Sequence, residues 1–347
     1  MSWRHWFARL PECWLRSVRA LVALSAAAAS VNAQAIDVAA QSRLLDRAAA
    51  AVVGLRSQAV DDARSNRTLG REREGSGVVI DGDGLVLTIG YLILEAEQVQ
   101  LVTDDDREIP GRVVAYDMAT GFGLVQPLTP LRIEAVPLGR SGGVAQDEPL
   151  MVVSGGNGGV VSAVRLVSRR TFAGYWEYRI DDALFTAPAR GDHSGAGLFN
   201  GRGELVGIGS LIVAHAMGDK QPRLPGNMFV PVDLLSPILD ELRRSGTSAA
   251  SRRAWMGVNC VEDDGEVRVV RVNDDSPADV AGVQVGDRIL RIDDVSVRTL
   301  EQLWLALWRN GPPEREVRLE IQRDGARQTL RVFTVERSKT LKRSQGV

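Results

Sequence analysis

Short apolar runs separated by Gly and Asp turns dominate residues 75–210 and predict β-strands. Gly77–Ile80 and Leu85–Thr88 flank the turn Asp81–Gly84, which is the pattern of a β-hairpin. Val99–Thr103 and Arg112–Tyr116 flank an acidic turn and predict a second hairpin. Strands at this close spacing are typical of a β-barrel or a β-sandwich. Further strands are predicted over Pro149–Val153, Gly159–Val167, Tyr175–Ile180 and Glu204–Ile208.

Helical patterns are rare in this part of the chain. Val38–Ala51 is rich in Ala and Leu and is predicted to be a helix. Val232–Arg244 has clear helical periodicity, because its apolar residues recur three and four positions apart. The next residues, Ser245–Ser251, are small and mostly polar and have the composition of a linker. We therefore expect one mostly β domain to end near residue 244.

A smaller unit, from Trp255 to Arg337, mixes strands with two short helices. Ser276 followed by Pro277 is a common helix start. A second helix is predicted from Thr299, where Gln302 completes a capping box, to Gly311. The predicted strands are Gly257–Val261, Glu266–Val272, Arg288–Ile292 and a final hairpin of Val317–Gln322 with Gln328–Val335. From Ser338 onward the residues are mostly polar and basic, and we expect a disordered tail.

Residues 1–33 have the three parts of a secretory signal peptide. A basic start is followed by the apolar, small-residue stretch Ala20–Ser30 and by Val31–Ala33, which suits cleavage before Gln34. The alternative is a membrane anchor, but this stretch is far shorter than the ~20 apolar residues that a span needs. We therefore expect a periplasmic protein without a stable membrane anchor after cleavage.

Composition and charge exclude several classes of protein. The chain has 347 residues, 44% of them hydrophobic and 25% charged, which is typical of a globular protein with room for two domains. Its 42 basic and 44 acidic residues leave no basic surface for nucleic acid, so no nucleic-acid partner is expected. Cys13 falls in the predicted leader, so Cys260 alone cannot form an internal disulfide.

Motifs in both parts of the chain resemble the HtrA/Do-like family of serine proteases. Gly75–Thr88 resembles the strand pair that leads to the family's catalytic His, and Asp104–Asp117 resembles the hairpin before its catalytic Asp. His193–Asn200 resembles the nucleophile loop. The smaller unit resembles a PDZ domain of this family at Trp255–Val258, Ser276–Val283 and Gly286–Leu290. The resemblance implies a mostly β chain, with a trypsin-like double β-barrel followed by a small α+β PDZ domain.

The same resemblance supplies a nucleophile, Ser194, but neither of its usual partners. Acyl transfer by a serine requires a base, a group that orients the base, and donors for the oxyanion. Tyr91 stands at the His position, and a phenol with a pKa near 10 is a poor base at neutral pH. Gly121 stands at the Asp position and has no side chain. Asp192 replaces the glycine two residues before the nucleophile, so the oxyanion hole is also expected to differ.

Other candidate chemistry is sparse after the leader. His193 adjoins Ser194 on a tight loop, where neighbouring side chains rarely meet productively, and His215 falls in a segment that resembles a surface loop. Two histidines and one cysteine make a three-ligand zinc site improbable. Asp104–Asp106 is interpreted as a solvated hairpin turn rather than a cation site. We expect no cofactor and no metal.

A PDZ domain binds a chain terminus or an extended segment by strand addition, and backbone N–H groups take its carboxylate. The resemblance assigns this peptide-binding role to Trp255, Met256, Gly257 and Val258. The helix from Thr299 would form the other wall, and its two Trp residues are interpreted as core or interdomain contacts. The family's aromatic trimer contacts are not evident, since no Phe, Tyr or Trp occurs between Gln34 and Gly90.

These observations predict five segments: signal peptide 1–33, trypsin-like domain 34–244, linker 245–253, PDZ domain 254–337 and basic tail 338–347. The expected function is that of a pseudoprotease that binds unfolded or C-terminal polypeptide segments in envelope protein quality control. The alternative is an active serine endopeptidase that uses Ser194 with a non-standard base. A third hypothesis is a structural partner of an active HtrA-like homologue in a mixed oligomer.

Overall fold

The structure is a computed structural model that describes residues 38–156, 158–309 and 311–342. The predicted signal peptide, 1–33, lies outside the described residues, as do the last five residues of the predicted tail. Residues 38–50 are helical and form α1, as the Ala- and Leu-rich pattern predicts. No helix in the described ranges is long and apolar enough to cross a membrane.

Two closed six-stranded barrels follow α1. The first barrel has the order β1-β2-β3-β6-β5-β4. Its strands are β1 (Val52–Ala59), β2 (Glu72–Val79), β3 (Val86–Ile89), β4 (Ala96–Val102), β5 (Glu108–Tyr116) and β6 (Phe122–Pro127), with the short helix α2 (Asn66–Leu69) after β1. Both predicted hairpins are present, since Val79 pairs with Val86 and Val102 pairs with Glu108.

The second barrel has the order β10-β11-β12-β9-β8-β7. Its strands are β7 (Pro149–Val153), β8 (Val161–Ala173), β9 (Arg179–Ala187), β10 (Gly197–Phe199), β11 (Leu205–Val213) and β12 (Gly226–Pro231). Buried apolar residues of both barrels, including Phe122, Phe185 and Phe199, form one large core. Residues that face the seam between the barrels are therefore held by packing on both sides.

Two predicted elements of this domain are wrong in their bounds. The predicted strand Tyr175–Ile180 is the tip of the β8–β9 hairpin, and β9 begins only at Arg179. Its aromatic residues have a strand-like pattern, but Trp176 and Tyr178 stack on each other within the hairpin tip. The predicted helix Val232–Arg244 is a 3-10 turn, Val232–Leu234, followed by α3 (Leu239–Ser245). Pro237 separates the two, because proline lacks an N–H and its ring clashes with the preceding helical turn.

The C-terminal domain is a small sheet closed by helices, as predicted. Its main sheet has the order β14-β15-β16-β18-β19, with β17 paired to β16, and β13 pairs with β20. The strands are β13 (Ala254–Trp255), β14 (Val258–Asp263), β15 (Glu266–Val272), β16 (Arg288–Ile292), β17 (Val295–Ser296), β18 (Glu316–Arg323), β19 (Ala326–Phe333) and β20 (Val335–Glu336). The helices are α4 (Pro277–Val280) and α5 (Leu300–Arg309).

Local sequence signals explain both helices of this domain. The Ser276 hydroxyl accepts a hydrogen bond from the Asp279 amide at the start of α4. The Gln302 amide donates to the Thr299 hydroxyl at the start of α5, which is half of the predicted capping box. Trp304, on the buried face of α5, is the largest side chain in the separate core of this domain.

The start of the predicted tail is ordered, contrary to expectation. Arg337–Thr340 form a 3-10 turn, and the Lys342 amide donates to Glu95 Oε1 at 2.8 Å. Lys342 also pairs with Asp62 at 2.8 Å. Lys342 therefore contacts two acidic residues of the barrel domain, Asp62 and Glu95.

Candidate functional site

Tyr91 and Ser194 meet at the seam between the two barrels. Tyr91 lies in a 3-10 turn, Gly90–Leu92, that follows β3 directly. Ser194 lies in the loop before β10, and its carbonyl oxygen accepts a hydrogen bond from the Ser76 amide of β2 at 2.8 Å. One backbone hydrogen bond between the barrels thus fixes the serine loop beside the turn that carries Tyr91.

The Tyr91 hydroxyl has two close partners. It lies 2.8 Å from Ser194 Oγ and 2.9 Å from the Ser210 carbonyl oxygen. A carbonyl oxygen can only accept, so when Tyr91 donates its single hydrogen to Ser210, the Ser194 hydroxyl donates to Tyr91. Burial raises the pKa of Tyr91 to about 12, although the hydrogen bond with Ser194 opposes that change. The serine proton is therefore directed at a neutral phenol, which is a very weak base.

Tyr178 fills the space beside Gly121. Gly121 has a φ of 80°, and a Cβ atom added there would lie 2.7 Å from Tyr178 Oη. The Tyr178 hydroxyl donates to the Thr120 carbonyl oxygen at 2.9 Å. Burial raises the pKa of Tyr178, so it stays neutral. An acidic side chain at residue 121 would therefore clash with Tyr178 unless the tyrosine moved.

A buried carboxylate, Asp117, lies four residues before Gly121 but has a structural role. Asp117 Oδ2 accepts hydrogen bonds from the Thr120 amide at 2.9 Å and the Thr120 hydroxyl at 2.6 Å. Its Oδ1 accepts from the hydroxyls of Ser248 and Ser251. Asp117 thus ties the first barrel to the segment that leads into the C-terminal domain.

Asp192 is held away from Ser194 by an ion pair. Arg190 donates to it through Nε and Nη2, both at 3.0 Å, and the Ser154 hydroxyl donates to Asp192 Oδ2 at 2.7 Å. Burial disfavours the charged form, but the hydrogen bonds from Arg190 and Ser154 outweigh it and hold the pKa of Asp192 below its ordinary value. Two residues before Ser194 there is therefore an ionised side chain whose charge is paired with Arg190.

Neither histidine forms a hydrogen bond with Ser194 Oγ in the described part of the chain, where Tyr91 is its partner. His193 Nδ1 lies 3.1 Å from the Arg190 carbonyl oxygen, so this nitrogen carries the hydrogen. Burial lowers the pKa of His193, which keeps its ring neutral. His215 follows β11, and its carbonyl oxygen accepts a hydrogen bond from Arg170 Nη2 at 2.9 Å. Among the described residues, no three His, Cys, Asp or Glu side chains are grouped as metal ligands.

A cavity of about 440 Å³ opens beside Tyr91 and extends to the C-terminal domain. Its lining combines aromatic, aliphatic, polar and charged side chains. The lining residues include Tyr91, Trp176, Tyr178, His193, Trp255 and Arg337. The cavity therefore joins the seam of the barrels, the β8–β9 hairpin and the loop before β14.

The loop Trp255–Val258 holds a carboxylate that belongs to the barrel domain. Glu177 Oε1 lies 2.9 Å from the Gly257 amide, 3.3 Å from the Met256 amide and 3.4 Å from the Val258 amide, and all three donate to it. Gly257 has a φ of 86°, and a Cβ atom there would lie 2.3 Å from Ser276 Cβ. Glycine is therefore required for the close turn that aims these amides at one oxygen.

Residues on either side of Glu177 also contact the PDZ domain. The Cys260 amide of β14 donates to the Tyr175 carbonyl oxygen at 2.6 Å. Trp304 Nε1 of α5 donates to the Gly174 carbonyl oxygen at 2.9 Å. Arg179 donates to Glu301 Oε1 through Nε at 3.0 Å and Nη2 at 2.9 Å. The tip of the β8–β9 hairpin thus lies between β14 and α5.

Comparison with known protein families identifies two domains, one in the barrel region and one in the C-terminal region. Residues 75–208 match the trypsin-like peptidase domain, and residues 254–334 match the PDZ domain. The chain is a trypsin-like peptidase domain followed by one PDZ domain. It has DegP/HtrA-like homologues.

Relatives and solved structures give the extent of this likeness. The probable periplasmic serine endoprotease DegP-like of Pseudomonas fulva is 29% identical over 296 residues, which are 76% of this chain and 57% of the relative. That of Rickettsia conorii is 23% identical over 72% of this chain and 51% of the relative. The chain thus spans little more than half the length of these relatives.

Two solved structures share the fold at 21% identity. The HtrA-type protease AlgW, solved with a decapeptide, has a TM-score of 0.52 and matches 86% of this chain and 98% of its own. The serine endoprotease from Yersinia pestis has a TM-score of 0.51 and matches 85% of this chain and 97% of its own.

The structure brings together Tyr91, Gly121 and Ser194 in the trypsin-like domain, and it groups Trp255–Val258 as one loop of the PDZ domain. Sequence reasoning missed Tyr178 and Glu177, because the hairpin tip was predicted to be a strand. A signal was available in the aromatic and acidic run Tyr175–Tyr178, which is unusual for an exposed hairpin turn.

Proposed function

We propose that this protein is a periplasmic, HtrA-like pseudoprotease that binds unfolded or C-terminal polypeptide segments and does not cleave them. The observation that carries the proposal is the 2.8 Å contact between Ser194 and Tyr91, whose raised pKa of about 12 prevents it from acting as a base. Gly121 supplies no acid to orient a base, and Tyr178 occupies the space for one.

The size of the catalytic defect follows from these substitutions. Loss of triad members from a serine protease lowers kcat by about 10⁴–10⁶-fold. Asp192 stands where the family has glycine two residues before the nucleophile, and its side chain is engaged by Arg190 and Ser154, so the loop is expected to offer fewer donors to an oxyanion. We infer that Ser194 now serves as a hydrogen-bond partner of Tyr91 rather than as a nucleophile.

Polypeptide binding is supported by features separate from the serine loop. The PDZ domain retains the turn at Gly257 and the row of amides at Met256, Gly257 and Val258. Its strand β14 forms the edge of the main sheet, where an extended segment could add. The HtrA-type protease AlgW was solved with a decapeptide, and its relationship to this chain supports a peptide ligand. The periplasmic names of the homologues support the proposed location.

The first test measures cleavage and binding of unfolded, fluorescently labelled casein by the mature protein and by Ser194→Ala. We expect no cleavage above the blank for either protein and equal binding by both. The exposed Ser296→Ala is the matched control. Cleavage by the wild type and Ser296→Ala but not by Ser194→Ala would show an active endopeptidase and direct attention to His193. Binding only in the presence of a co-purified active homologue would favour the role of a structural partner.

A further inference from the structure

A groove on the PDZ domain exposes two large apolar side chains. It has a volume of about 770 Å³ and lies between α4 and β19, which is the end strand of the main sheet opposite β14. Val280 of α4 is 84% exposed and Phe333 of β19 is 64% exposed, and both line the groove. Exposed apolar surface with a polar rim commonly marks the docking place of another molecule. We call this feature the α4–β19 groove.

The charged residues that line the α4–β19 groove are mostly basic. Four cations, Arg64, Arg331, Lys339 and Lys342, are accompanied by one acid, Asp275. The whole chain has nearly equal numbers of basic and acidic residues, so the excess of positive charge is a local property of the groove. Complementary charge favours an anionic partner and disfavours a cationic one.

One buried carboxylate brings two of these cations together. Glu95 Oε1 accepts hydrogen bonds from the Arg64 amide at 3.3 Å and from the Lys342 amide at 2.8 Å. Glu95 is 7% exposed, and its charge interacts with the buried guanidinium of Arg73. The side chains of Arg64 and Lys342 are themselves exposed. Two distant parts of the chain are thus fixed by their backbones so that both present a cation to the groove.

The ion pairs that these cations form are exposed and exchangeable. Three of the cations pair with exposed carboxylates: Lys342 with Asp62 at 2.8 Å, Lys339 with Glu314 at 2.6 Å and Arg331 with Glu316 at 4.0 Å. The described ranges give the Arg64 guanidinium no ion pair. Exposed ion pairs contribute little to stability, so these side chains can turn to a ligand at small cost.

We propose that the α4–β19 groove binds an acidic, extended polypeptide segment that carries a large apolar side chain. The apolar side chain lies against Val280 and Phe333, and its acidic neighbours pair with the surrounding cations. Because those cations come from three separate parts of the chain, they suit carboxylates spaced along a strand of polypeptide. Arg64 belongs to the barrel domain and Arg331 to the PDZ domain, so such a segment contacts both domains at once.

This surface is separate from the binding of chain ends proposed above. It involves neither Ser194 nor the amides of the loop Trp255–Val258, the carboxylate loop, which bind Glu177. It also requires no free terminal carboxylate in the partner. The inference therefore goes beyond the proposed function, and each can fail without the other.

Fluorescence anisotropy tests the proposal with a fluorescein-labelled, C-terminally amidated decapeptide in which Asp and Glu flank two Phe residues. The same peptide with Asn and Gln in place of the acids is the ligand control. Two matched pairs of variants change exposed residues inside and outside the groove: Arg331→Glu with Arg327→Glu, and Val280→Ser with Val285→Ser. Arg64→Glu tests the contribution of the barrel domain, and thermal unfolding verifies that each variant folds.

We expect the wild type to bind the acidic peptide about tenfold more tightly than the Asn and Gln peptide. Arg331→Glu and Arg64→Glu should each weaken binding by about three- to tenfold, whereas Arg327→Glu should stay within about twofold of the wild type. Val280→Ser should lose about two- to fivefold and Val285→Ser nothing measurable. Salt at ~1 M should remove most of the preference for the acidic peptide, because it shortens the screening length to about 3 Å.

Two results would refute binding at this groove. Equal weakening in Arg331→Glu and Arg327→Glu would mean that general charge attraction holds the peptide. Failure of the wild type to bind the acidic peptide would exclude the proposed partner altogether. In both cases the proposed binding of chain ends would stand, since it depends on the carboxylate loop and not on these cations.

Two other occupants of the groove are tested in parallel. Sedimentation velocity compares the wild type with Val280→Ser, and a dimer that only the wild type forms would assign the groove to a second copy of the chain. Co-sedimentation with vesicles of equal parts phosphatidylglycerol and phosphatidylcholine tests a membrane surface. Vesicle binding that Arg331→Glu removes, without binding of the acidic peptide, would assign the groove to anionic lipid. Either result would overturn the proposal.

Discussion

The serine loop and the carboxylate loop are both built from tight turns, yet they are filled in different ways. At the serine loop, on the assignment proposed above, Tyr91 and Gly121 stand at the positions of the base and the acid, and Tyr178 fills the space beside Gly121. At the carboxylate loop the amides of Met256, Gly257 and Val258 are retained, and a side chain from another domain is bound to them. On that assignment the first site lacks a base and an acid, whereas the second has its row of amides and a side chain bound to them.

A substituted residue at the serine loop is a permanent change, whereas a side chain bound at the carboxylate loop can be released. On the proposed assignment, motion alone does not supply a base, because the hydrogen-bond partner of Ser194 Oγ is the neutral phenol of Tyr91. The Glu177 side chain can leave, because it binds through hydrogen bonds and through a carboxylate that is costly to bury. Both sites contact the same hairpin, through Tyr178 at the first and Glu177 at the second.

The largest effect is expected from rebuilding the triad. Tyr91→His with Gly121→Asp should remain inactive, because the new Asp Cβ would lie 2.7 Å from Tyr178 Oη. Adding Tyr178→Ala should raise casein hydrolysis by about 10²–10⁴-fold over the double variant, the usual contribution of a positioned base. Ser194→Ala in the triple background is the control. Equal cleavage by the double and triple variants would show that Tyr178 does not block the acid position.

Removal of the hydrogen-bond donor on α5 should weaken the contact between the PDZ domain and the β8–β9 hairpin tip. Trp304→Phe leaves the buried Gly174 carbonyl oxygen without its donor and should destabilise the protein by about 1–3 kcal/mol. Trp308→Phe is the matched control, since its Nε1 donates to Ala254 at 3.1 Å within the PDZ domain. Urea unfolding measures stability, and hydrogen exchange measures release of residues 174–177. Equal release in both variants would argue against a specific role for Trp304.

A smaller effect is expected from the contact between Tyr91 and Ser194. Tyr91→Phe and Ser194→Ala should each destabilise the protein by about 1 kcal/mol, the usual net value of a hydrogen bond. The double variant should cost less than the sum of the two, with a coupling of about 0.5–1 kcal/mol in urea unfolding. Strict additivity would mean that the two hydroxyl groups do not stabilise each other in solution.

Sequence reasoning captured the local structure of both domains. Alternating patterns predicted the hairpins of the first barrel, and Ser276-Pro277 predicted the start of α4. These signals are local, since hydrophobic periodicity and helix caps depend on residues that lie close together in the chain. The helix predicted over Val232–Arg244 was wrong because the apolar periodicity continues across Pro237, which interrupts the backbone hydrogen bonds.

Only part of the candidate site could be predicted from the sequence. Tyr91, Gly121 and Ser194 could be placed because each lies in a motif of the resemblance. Tyr178 and Glu177 could not, since their importance comes from contacts with residues 58 and 80 positions away in sequence. Such contacts follow from how the hairpin packs between domains, and no local pattern encodes that packing.

The smallest expected effect is the pH dependence of the stability that Glu177 contributes. The folded-state pKa of Glu177 is raised by burial above its ordinary value of 4.5. Its contribution to stability is therefore fully present below the ordinary pKa and is lost as the pH rises through the folded-state pKa. Glu177→Gln keeps an acceptor oxygen at the same position but does not titrate.

The difference in Tm between the wild type and Glu177→Gln should accordingly shift in favour of the variant as the pH rises from 4 to 8. Thermal unfolding across this range measures it, with the exposed Glu97→Gln as the control for a general change in charge. A shift in favour of the wild type would mean that the three amides and Arg337 stabilise the charged form beyond the cost of burial. Glu177 would then be bound more firmly at the carboxylate loop than its raised pKa implies.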